Sequence, residues 1–441
     1  LFAPKNKPTM TNILTAIDIG SSKVTGVSAI VTEEGKVHVL AAAQTDSKGV
    51  EEGVIQNIDR TVQAINKIVT NLNYKTDAEL KDVYVGISGR NLEIITRTDN
   101  YIRRKHDTEI TQEEINEFTA RLHNILLPPG QVIVDVIPLF YKVDNGIRTK
   151  LPVGMHGKEL KGYFKVITCE KQTKTYLNRC FEKAGLNLKG IVLNAEASAH
   201  ACLSPQDMEA GVVVVDMGAA MTDIAFFYDG VLADLHLLPI GGNIITNDIQ
   251  DGCRILREKA EKLKTRFGSA IVQENQKGLQ ISIDGVTHKD TREISMLSLA
   301  QIIEARMEDI SRLVYDTIDE SGLKKHLLAG IVLTGGSAQL NNIEEHFDES
   351  TGLTTRIGKL KGFTASDKMT RQLNNSYASA LGTIIKAVDK IEKVSPAAKI
   401  EIIEEEEIEI PEKTKRNMFQ RMLDKWLVTS KESEESWSEL N

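Results

Sequence analysis

Residues 212–227 read Val-Val-Val-Val-Asp-Met-Gly-Ala-Ala-Met-Thr-Asp-Ile-Ala-Phe-Phe, and no other stretch limits the fold as tightly. Four successive valines are too β-branched for a comfortable helix and too short to span a membrane, so they predict a buried strand. That strand ends at Asp216-Met217-Gly218. An extended pattern resumes from Thr222 to Phe227, and Asp229-Gly230 turns the chain into a further strand, Val231 to Leu238. Two strands closing around Asp-x-Gly aim N–H groups into the turn, a nest that can cradle phosphate. The carboxylate at the strand end can hold Mg2+ through water.

The same pattern occurs near the start. Leu14 to Ile19 predict an apolar strand ending in Asp18-Ile19-Gly20-Ser21-Ser22-Lys23. A second strand runs from Val24 to Val31, and Glu34-Gly35 turns into a third, Lys36 to Ala43. Each unit leads to a helix, Asn57 to Asn71 in the first and Ile244 to Phe267 in the second; Ile58, Val62, Ile65, Ile68 and Val69 share one face of the former. Two copies of strand–turn–strand–strand–helix predict two similar lobes, each offering one phosphate turn to a ligand between them. Two unrelated hairpins are the plainer alternative, since Asp-Gly pairs are common in turns.

Bulk properties narrow the function. The chain of 441 residues has room for two to four domains, and a formal charge of -8 leaves no basic excess for general nucleic-acid binding. Cys169, Cys180, Cys202 and Cys253 form no Cys-x-x-Cys pair and predict reduced thiols with no zinc site. No apolar run approaches the length of a bilayer span. There is no Gly-x4-Gly-Lys-Ser/Thr, and no Gly-x-Gly-x-x-Gly follows a strand, so neither a P-loop nor a dinucleotide fold is supported.

From residue 90 to 160 the strands turn polar around a helix predicted over Thr111 to Leu126, which marks a small inserted α/β unit. Gly162 to Cys169 predicts a return to an apolar strand, and Lys171 to Ala184 a helix closed by Gly185. Ile191 to Leu203 predicts a strand end followed by a helix of small residues. Glu196 would then lie at the mouth of an interlobe cleft, although an exposed helix-start carboxylate is the simpler reading. Leu327 to Leu333 predicts a buried strand ending in Gly335-Gly336-Ser337, where paired glycines let backbone approach a flat ligand face. Small residues around Ala380 predict a hinge or a close helix contact.

Asp18-Ile19-Gly20-Ser21-Ser22-Lys23, Asp216-Met217-Gly218 with Thr222-Asp223, Gly335-Gly336-Ser337 and the small-residue segments around Ala199 and Ala380 follow the order of the actin-like ATPase superfamily. Within it the chain resembles the FtsA family of bacterial cell-division proteins, through Gly49-Val50-Glu51-Glu52-Gly53-Val54-Ile55, Val83 to Gly89 and Pro152 to Gly157. The resemblance covers residues 12 to 386 and the tail. It implies a two-lobed α/β fold of the actin-like (RNase H-like) type with an FtsA-type insertion subdomain. In the family's terms, subdomain IA would comprise 12–84, 166–204 and 383–392, and the insertion IC 85–165. Subdomain IIA would comprise 205–242 and 314–382, and IIB 243–313, after a disordered extension over 1–11.

The resemblance further implies ATP with Mg2+ between the lobes. Asp18 and Asp216 would orient the metal's water shell, and Gly20, Ser21, Ser22 and Lys23 would meet the phosphates. Gly218 and Thr222 would close the other side, Gly335, Gly336 and Ser337 would border the adenosine, and Glu261 and Lys264 would reach the nucleoside. Glu196 would orient attacking water. Ala219, Ala220 and Met221 depart from the glycines and hydroxyl residue usual in the second turn, so the expectation is binding with at most slow hydrolysis.

Beyond residue 391 composition shifts. An acidic linker is predicted over 393–413, an amphipathic helix over 414–428 and an acidic tail over 429–441. At 100° per residue Met418, Phe419, Met422, Leu423, Trp426 and Leu427 share half the wheel, opposite Arg421 and Lys425, which suits a membrane interface. Docking on the protein itself or on a partner is the alternative. The resemblance implies anionic membrane lipids, a self-polymer, the C-terminal tail of FtsZ docked on 243–313 and later division proteins as partners. The expected location is the cytoplasmic face of the inner membrane at the division site. A DnaK-type chaperone, a sugar or acetate kinase and a PilM-type pilus scaffold are the rivals; the first lacks room for a substrate domain after residue 390, and the insertion and tail speak against the second.

Overall fold

The computed structural model describes residues 13–32, 34–284 and 291–393. Two sheets carry the architecture, and they repeat one another strand for strand. In the first, Ile13–Ile19 pairs antiparallel with Lys23–Val31, which pairs antiparallel with Val37–Asp46. On its other side Ile13–Ile19 pairs in parallel with Asp82–Ile87, and that strand with Asn187–Leu193. In the second, Val212–Met217 pairs antiparallel with Thr222–Tyr228, and that with Val231–Leu238. Val212–Met217 also pairs in parallel with Ile331–Thr334, followed by Thr355–Ile357. Both sheets thus have the third, second, first, fourth and fifth strand of the repeat in the same order.

The first sheet gains a sixth strand. Phe363–Ala365 pairs in parallel with Val37–Asp46, so part of the segment 314–382, expected with the second lobe, completes the first. Likewise 85–87 belong to the first sheet rather than to the insertion.

Two short-residue helices lie between the sheets. Ala378–Lys393 packs on the first sheet, Asn194–Cys202 on the second, and the two pack on each other. Gly382 allows this approach, because a Cβ there would run into the carbonyl oxygen of Ala197. The small residues therefore serve a close helix contact. On the outer face of the first sheet, Ile58–Thr76 and Lys171–Lys183 bury Ile65, Ile68, Leu72, Cys180 and Phe181. The first of these helices is capped by Asn57, whose side chain accepts from the Arg60 N–H, and runs five residues past its predicted end to Thr76, closed by Asp77 in the left-handed region.

The insertion is an antiparallel sheet in the order 92–102, 159–170, 131–143 and 148–149, covered by Gln112–Leu122. A capping box between Thr111 and Glu114 starts that helix. It stops four residues short of Leu126, which is 73% exposed and has no core to join. Phe118, Leu122 and Phe164 fill the subdomain's own core.

The helix predicted over Ile244 to Phe267 is two helices, Gly242–Cys253 and Arg257–Phe267. Arg254 at φ 51° breaks it, and Ile255 turns inward, so the second helix doubles back along the first. Gln280–Asp284, Thr291–Ser295 and the long helix Met296–Glu320 complete this unit. Residues 394–441, with the predicted tail helix and acidic end, lie outside the described residues, as does the extension over 1–11.

Candidate functional site

The two central hairpins meet face to face. In the first, the Gly20 N–H donates to the Lys23 carbonyl at 3.0 Å; in the second, the Gly218 N–H donates to the Met221 carbonyl at 2.8 Å. The same bond at the same place in each repeat puts Ser21-Ser22 at one tip and Ala219-Ala220 at the other. Both tips line a cavity of about 430 Å3, within the range usual for small-molecule sites.

Carboxylates define the floor. Asp18 and Asp216 end the central strands, and Asp223 stands cross-strand from Asp216. The Asn194 amide donates to Asp18 Oδ1 at 2.9 Å. Asp216 Oδ2 accepts a very short bond from the Ser198 hydroxyl and another at 3.3 Å from Ser379. The Ser88 hydroxyl donates to Asp223 Oδ1 at 2.6 Å. Burial pushes the Asp18 carboxyl up to about 7, against the Asn194 bond and with help from the Asp216 charge. Burial raises Asp216 too, opposed by its two serines, and raises Asp223 well above the usual range with the Asp216 charge adding to it. All three carboxyls are raised first by burial, Asp18 and Asp223 also by neighbouring carboxylates, and a cation close to them would favour their charged forms.

Two further atoms point the same way. Thr25 Oγ1 and Asn194 Oδ1, on cavity-lining residues, are buried without a hydrogen-bond partner, a cost normally met by water or ligand. Among the described residues no three His, Cys, Asp or Glu side chains are grouped to hold a metal directly. The donor set fits a hydrated Mg2+, which keeps several waters and takes few carboxylates, and does not fit a fully protein-ligated ion.

The far end is built by the doubled-back helix. Lys264 is buried; its ammonium donates to the Gly242 carbonyl and to Thr246 Oγ1, both at 2.8 Å, and pairs with Glu261 at 2.8 Å. Burial lowers the Lys264 pKa, partly offset by Glu261. Burial alone would raise Glu261, but Lys264 and Thr246 outweigh it and leave the carboxyl below its ordinary value. The second hairpin tip is pinned to the same region: Gly218 O accepts from the Gly242 N–H at 3.0 Å and from the Ser337 hydroxyl at 2.8 Å, and Ala219 O from the Asn243 N–H at 2.6 Å. Gly335 sits at φ 88°, and a Cβ there would strike Asp216 Oδ1 and lie 2.6 Å from the Met217 carbonyl oxygen.

Asp18, Gly20, Ser21, Ser22, Lys23, Asp216, Gly218, Glu261, Lys264 and Gly335 to Ser337 thus all line one cavity. Two expected members do not. Thr222 is fully buried and its hydroxyl donates to the Ile240 carbonyl at 2.7 Å, on the opposite face of the strand from Asp223. Glu196 is neither at the cavity nor exposed: it is 5% exposed and pairs with Lys386 at 2.8 Å. Asn194 takes the cavity position on that helix instead, since two residues of helix turn a side chain by about 200°. Asp223 was within reach of the sequence: it lies seven residues after Asp216, as Thr25 lies seven after Asp18, and both line the cavity.

The family model described as "Cell division protein FtsA" matches residues 213–382, and that described as "SHS2 domain inserted in FTSA" matches 89–168. The Neisseria meningitidis serogroup B "Cell division protein FtsA" is 32% identical over 346 residues, covering 78% of this chain and 83% of the relative. The protein of that name from Bacillus subtilis is 30% identical over 330 residues, 74% of each chain, and that from Escherichia coli K12 26% over 385, 86% of this chain and 91% of the relative. Among solved structures, the "PilM-PilN type IV pilus biogenesis complex" has a TM-score of 0.62 at 14% identity, covering 86% of this chain and 99% of that one. MreB5 of Spiroplasma citri bound to ADP has 0.53 at 15%, covering 87% and 99%. Both share the actin-like fold, and the inserted subdomain of this chain is the SHS2 match over 89–168. On its sequence relatives and its inserted subdomain, this chain belongs to the FtsA family of cell division proteins.

Proposed function

We propose that the chain is an ATP-binding, actin-like division protein that polymerises at the membrane and tethers FtsZ there. The observation that carries the nucleotide reading is the convergence of both Asp-x-Gly hairpin tips, Lys264 and the Gly335–Ser337 turn on one cavity. Ser21, Ser22 and Lys23 would meet the phosphates from one side and Gly218 with Ala219 from the other. Asp18 and Asp216, with Asp223, would hold the waters of Mg2+; the ion would relieve the mutual repulsion of these carboxylates. Glu261, Lys264 and Gly335 to Ser337 would hold the adenosine end. An actin-like neighbour solved with ADP is in keeping with that choice of ligand.

Turnover is expected to be slow. With Glu196 turned onto Lys386, the carboxylate meant to orient water is absent from the cavity, and Ala219 and Ala220 carry methyl groups where glycines would let backbone closer to phosphate.

The tether is read from the sequence of 414–428. Burying a side chain such as Trp426 or Leu427 fully is worth about 1.5–3 kcal/mol, partial insertion less, so one helix binds reversibly and a polymer presenting many binds firmly. Arg421 and Lys425 add attraction to anionic lipid of about 1 kcal/mol each. The unit over 243–313 is the proposed dock for the FtsZ tail, and the working place is the cytoplasmic face of the inner membrane, where later division proteins join.

Sedimentation with anionic vesicles tests this, comparing the full chain with one ending at Glu412, each with and without ATP. The reading expects only the full chain to pellet, and more with ATP. Equal pelleting of the shortened chain would remove the tail as anchor.

A further inference from the structure

The Gly49–Ile55 motif has no part in the proposed ligand contacts, yet its geometry is demanding. Val50–Glu51 and Val54–Ile55 form a two-stranded hairpin whose turn residues Glu52 and Gly53 sit at φ 48° and 74°, the left-handed pair that tight hairpins require. Val50 and Ile55 anchor it in the core of the first lobe.

Its tip is wedged between two other elements. Toward the cavity, the Gly53 N–H donates to the Ser21 hydroxyl at 2.9 Å, so the tip holds the side chain at the end of the first phosphate turn. On its other side lies the neck 88–91, through which the chain passes from the first sheet into the insertion strand Leu92–Ile102. The Arg90 N–H donates to the Glu52 carbonyl at 3.2 Å, and the Arg90 guanidinium pairs with the Glu52 carboxylate at 2.6 Å. A Cβ on Gly53 would collide with the Ser88 carbonyl and the Gly89 Cα. Backbone touches backbone here.

The neck is also held from across the cavity, by the Ser88 hydroxyl on Asp223 of the second sheet. Two groups that line the cavity, the Ser21 hydroxyl and the Asp223 carboxylate, are therefore each one hydrogen bond from the base of the insertion or from the hairpin packed on it.

We propose that the Glu52–Gly53 tip and Ser88 link the cavity to the insertion subdomain, so that a nucleoside triphosphate with its divalent cation resets the neck 88–91 and with it the insertion sheet. The inference rests on the nucleotide reading above. Phosphate accepting from the Ser21 hydroxyl fixes the oxygen that the Gly53 N–H donates to, so the two bonds move together, and a cation drawing on Asp223 competes with the Ser88 bond. A bond drawn toward phosphate at Ser21 and one loosened at Asp223, both at the root of a subdomain, shift its orientation, and the coupling is reciprocal: a partner of the insertion whose affinity the nucleotide changes alters nucleotide affinity by the same factor.

The test is hydrogen–deuterium exchange of the full chain, with and without Mg·ATP at a concentration saturating for each variant, alongside a direct measurement of ATP binding. Wild type is expected to change exchange at the amides of 90–102 by about threefold or more on adding Mg·ATP. Ser88→Ala and Arg90→Ala, saturated in the same way, are expected to lose most of that response, and Arg90→Lys to restore it. ATP bound with no response in the insertion, or an undiminished response in both alanine variants, overturns the link and leaves the nucleotide site standing. Failure of wild type to bind ATP overturns both.

Discussion

Adjacent glycines at 335 and 336 are expected to answer the same substitution very unequally. Gly335 lies at φ 88°, where a side chain costs about 1–2 kcal/mol on backbone grounds. Its new methyl would also meet Asp216 Oδ1 and the Met217 carbonyl, neither free to retreat: Asp216 is held by Ser198 and Ser379, and Met217 lies in the central strand. Overpacking of this kind adds about 1–3 kcal/mol. Gly335→Ala should therefore destabilise by roughly 2–5 kcal/mol, a fall of about 5–15 °C in the melting midpoint at a few degrees per kcal/mol. Gly336 has helical backbone angles, φ -66° and ψ -39°, and open space where its Cβ would be. Gly336→Ala should stay within about 0.5 kcal/mol of wild type, while weakening ATP if the turn borders the adenosine. Calorimetric or fluorescence melting of the three proteins decides it. Equal melting of Gly335→Ala and wild type, or equal damage from both substitutions, would refute the packing argument.

Three further outcomes follow from the charges. Because the Asp18 carboxyl is raised to about 7 in the fold, the folded state holds the proton more tightly than the unfolded chain; stability without ligand should fall as pH rises from about 4 to 7, and Asp18→Asn should flatten that slope in melts across the range. Burial would raise Asp234, but His236 and the Lys165 ammonium at 2.6 Å outweigh it and hold the carboxyl well below its ordinary value. Its contribution is present above the unfolded carboxylate pKa and lost as pH falls through the folded one, and Lys165→Met, which strands the partner, should cost about 2–4 kcal/mol in denaturant or thermal unfolding. Lys264→Met leaves the Gly242 carbonyl, Thr246 and Glu261 without their shared donor; about 1–3 kcal/mol of stability should go, together with affinity for ATP.

The duplicated hairpins could be read from residues alone because strand period, a terminal carboxylate and glycine are local signals. Asp229-Gly230 turned as expected, both residues at positive φ. What stayed hidden depends on direction rather than type. Nothing local tells that Glu196 faces Lys386 while Asn194 faces Asp18, since this is set by how closely a small-residue helix packs on its neighbour. Thr222 and Asp223 are likewise separated by strand alternation, and the pairing of Asp216 with Asp223 is what picks the carboxylate. Arg254 in the left-handed region gives no warning in sequence, although the break it makes is what returns Lys264 to the cavity. The addition of Phe363–Ala365 to the first sheet is a contact across more than 300 residues, beyond any pattern window.

Titration calorimetry of the full chain with ATP, with and without Mg2+, tests the central claim most directly when repeated on Asp216→Asn. The account predicts that wild type binds ATP, that Mg2+ tightens binding by about tenfold, or 1.4 kcal/mol, and that Asp216→Asn loses the Mg2+ effect while retaining metal-free binding. No binding by wild type at about millimolar ATP, or a Mg2+ effect untouched by the substitution, would contradict it.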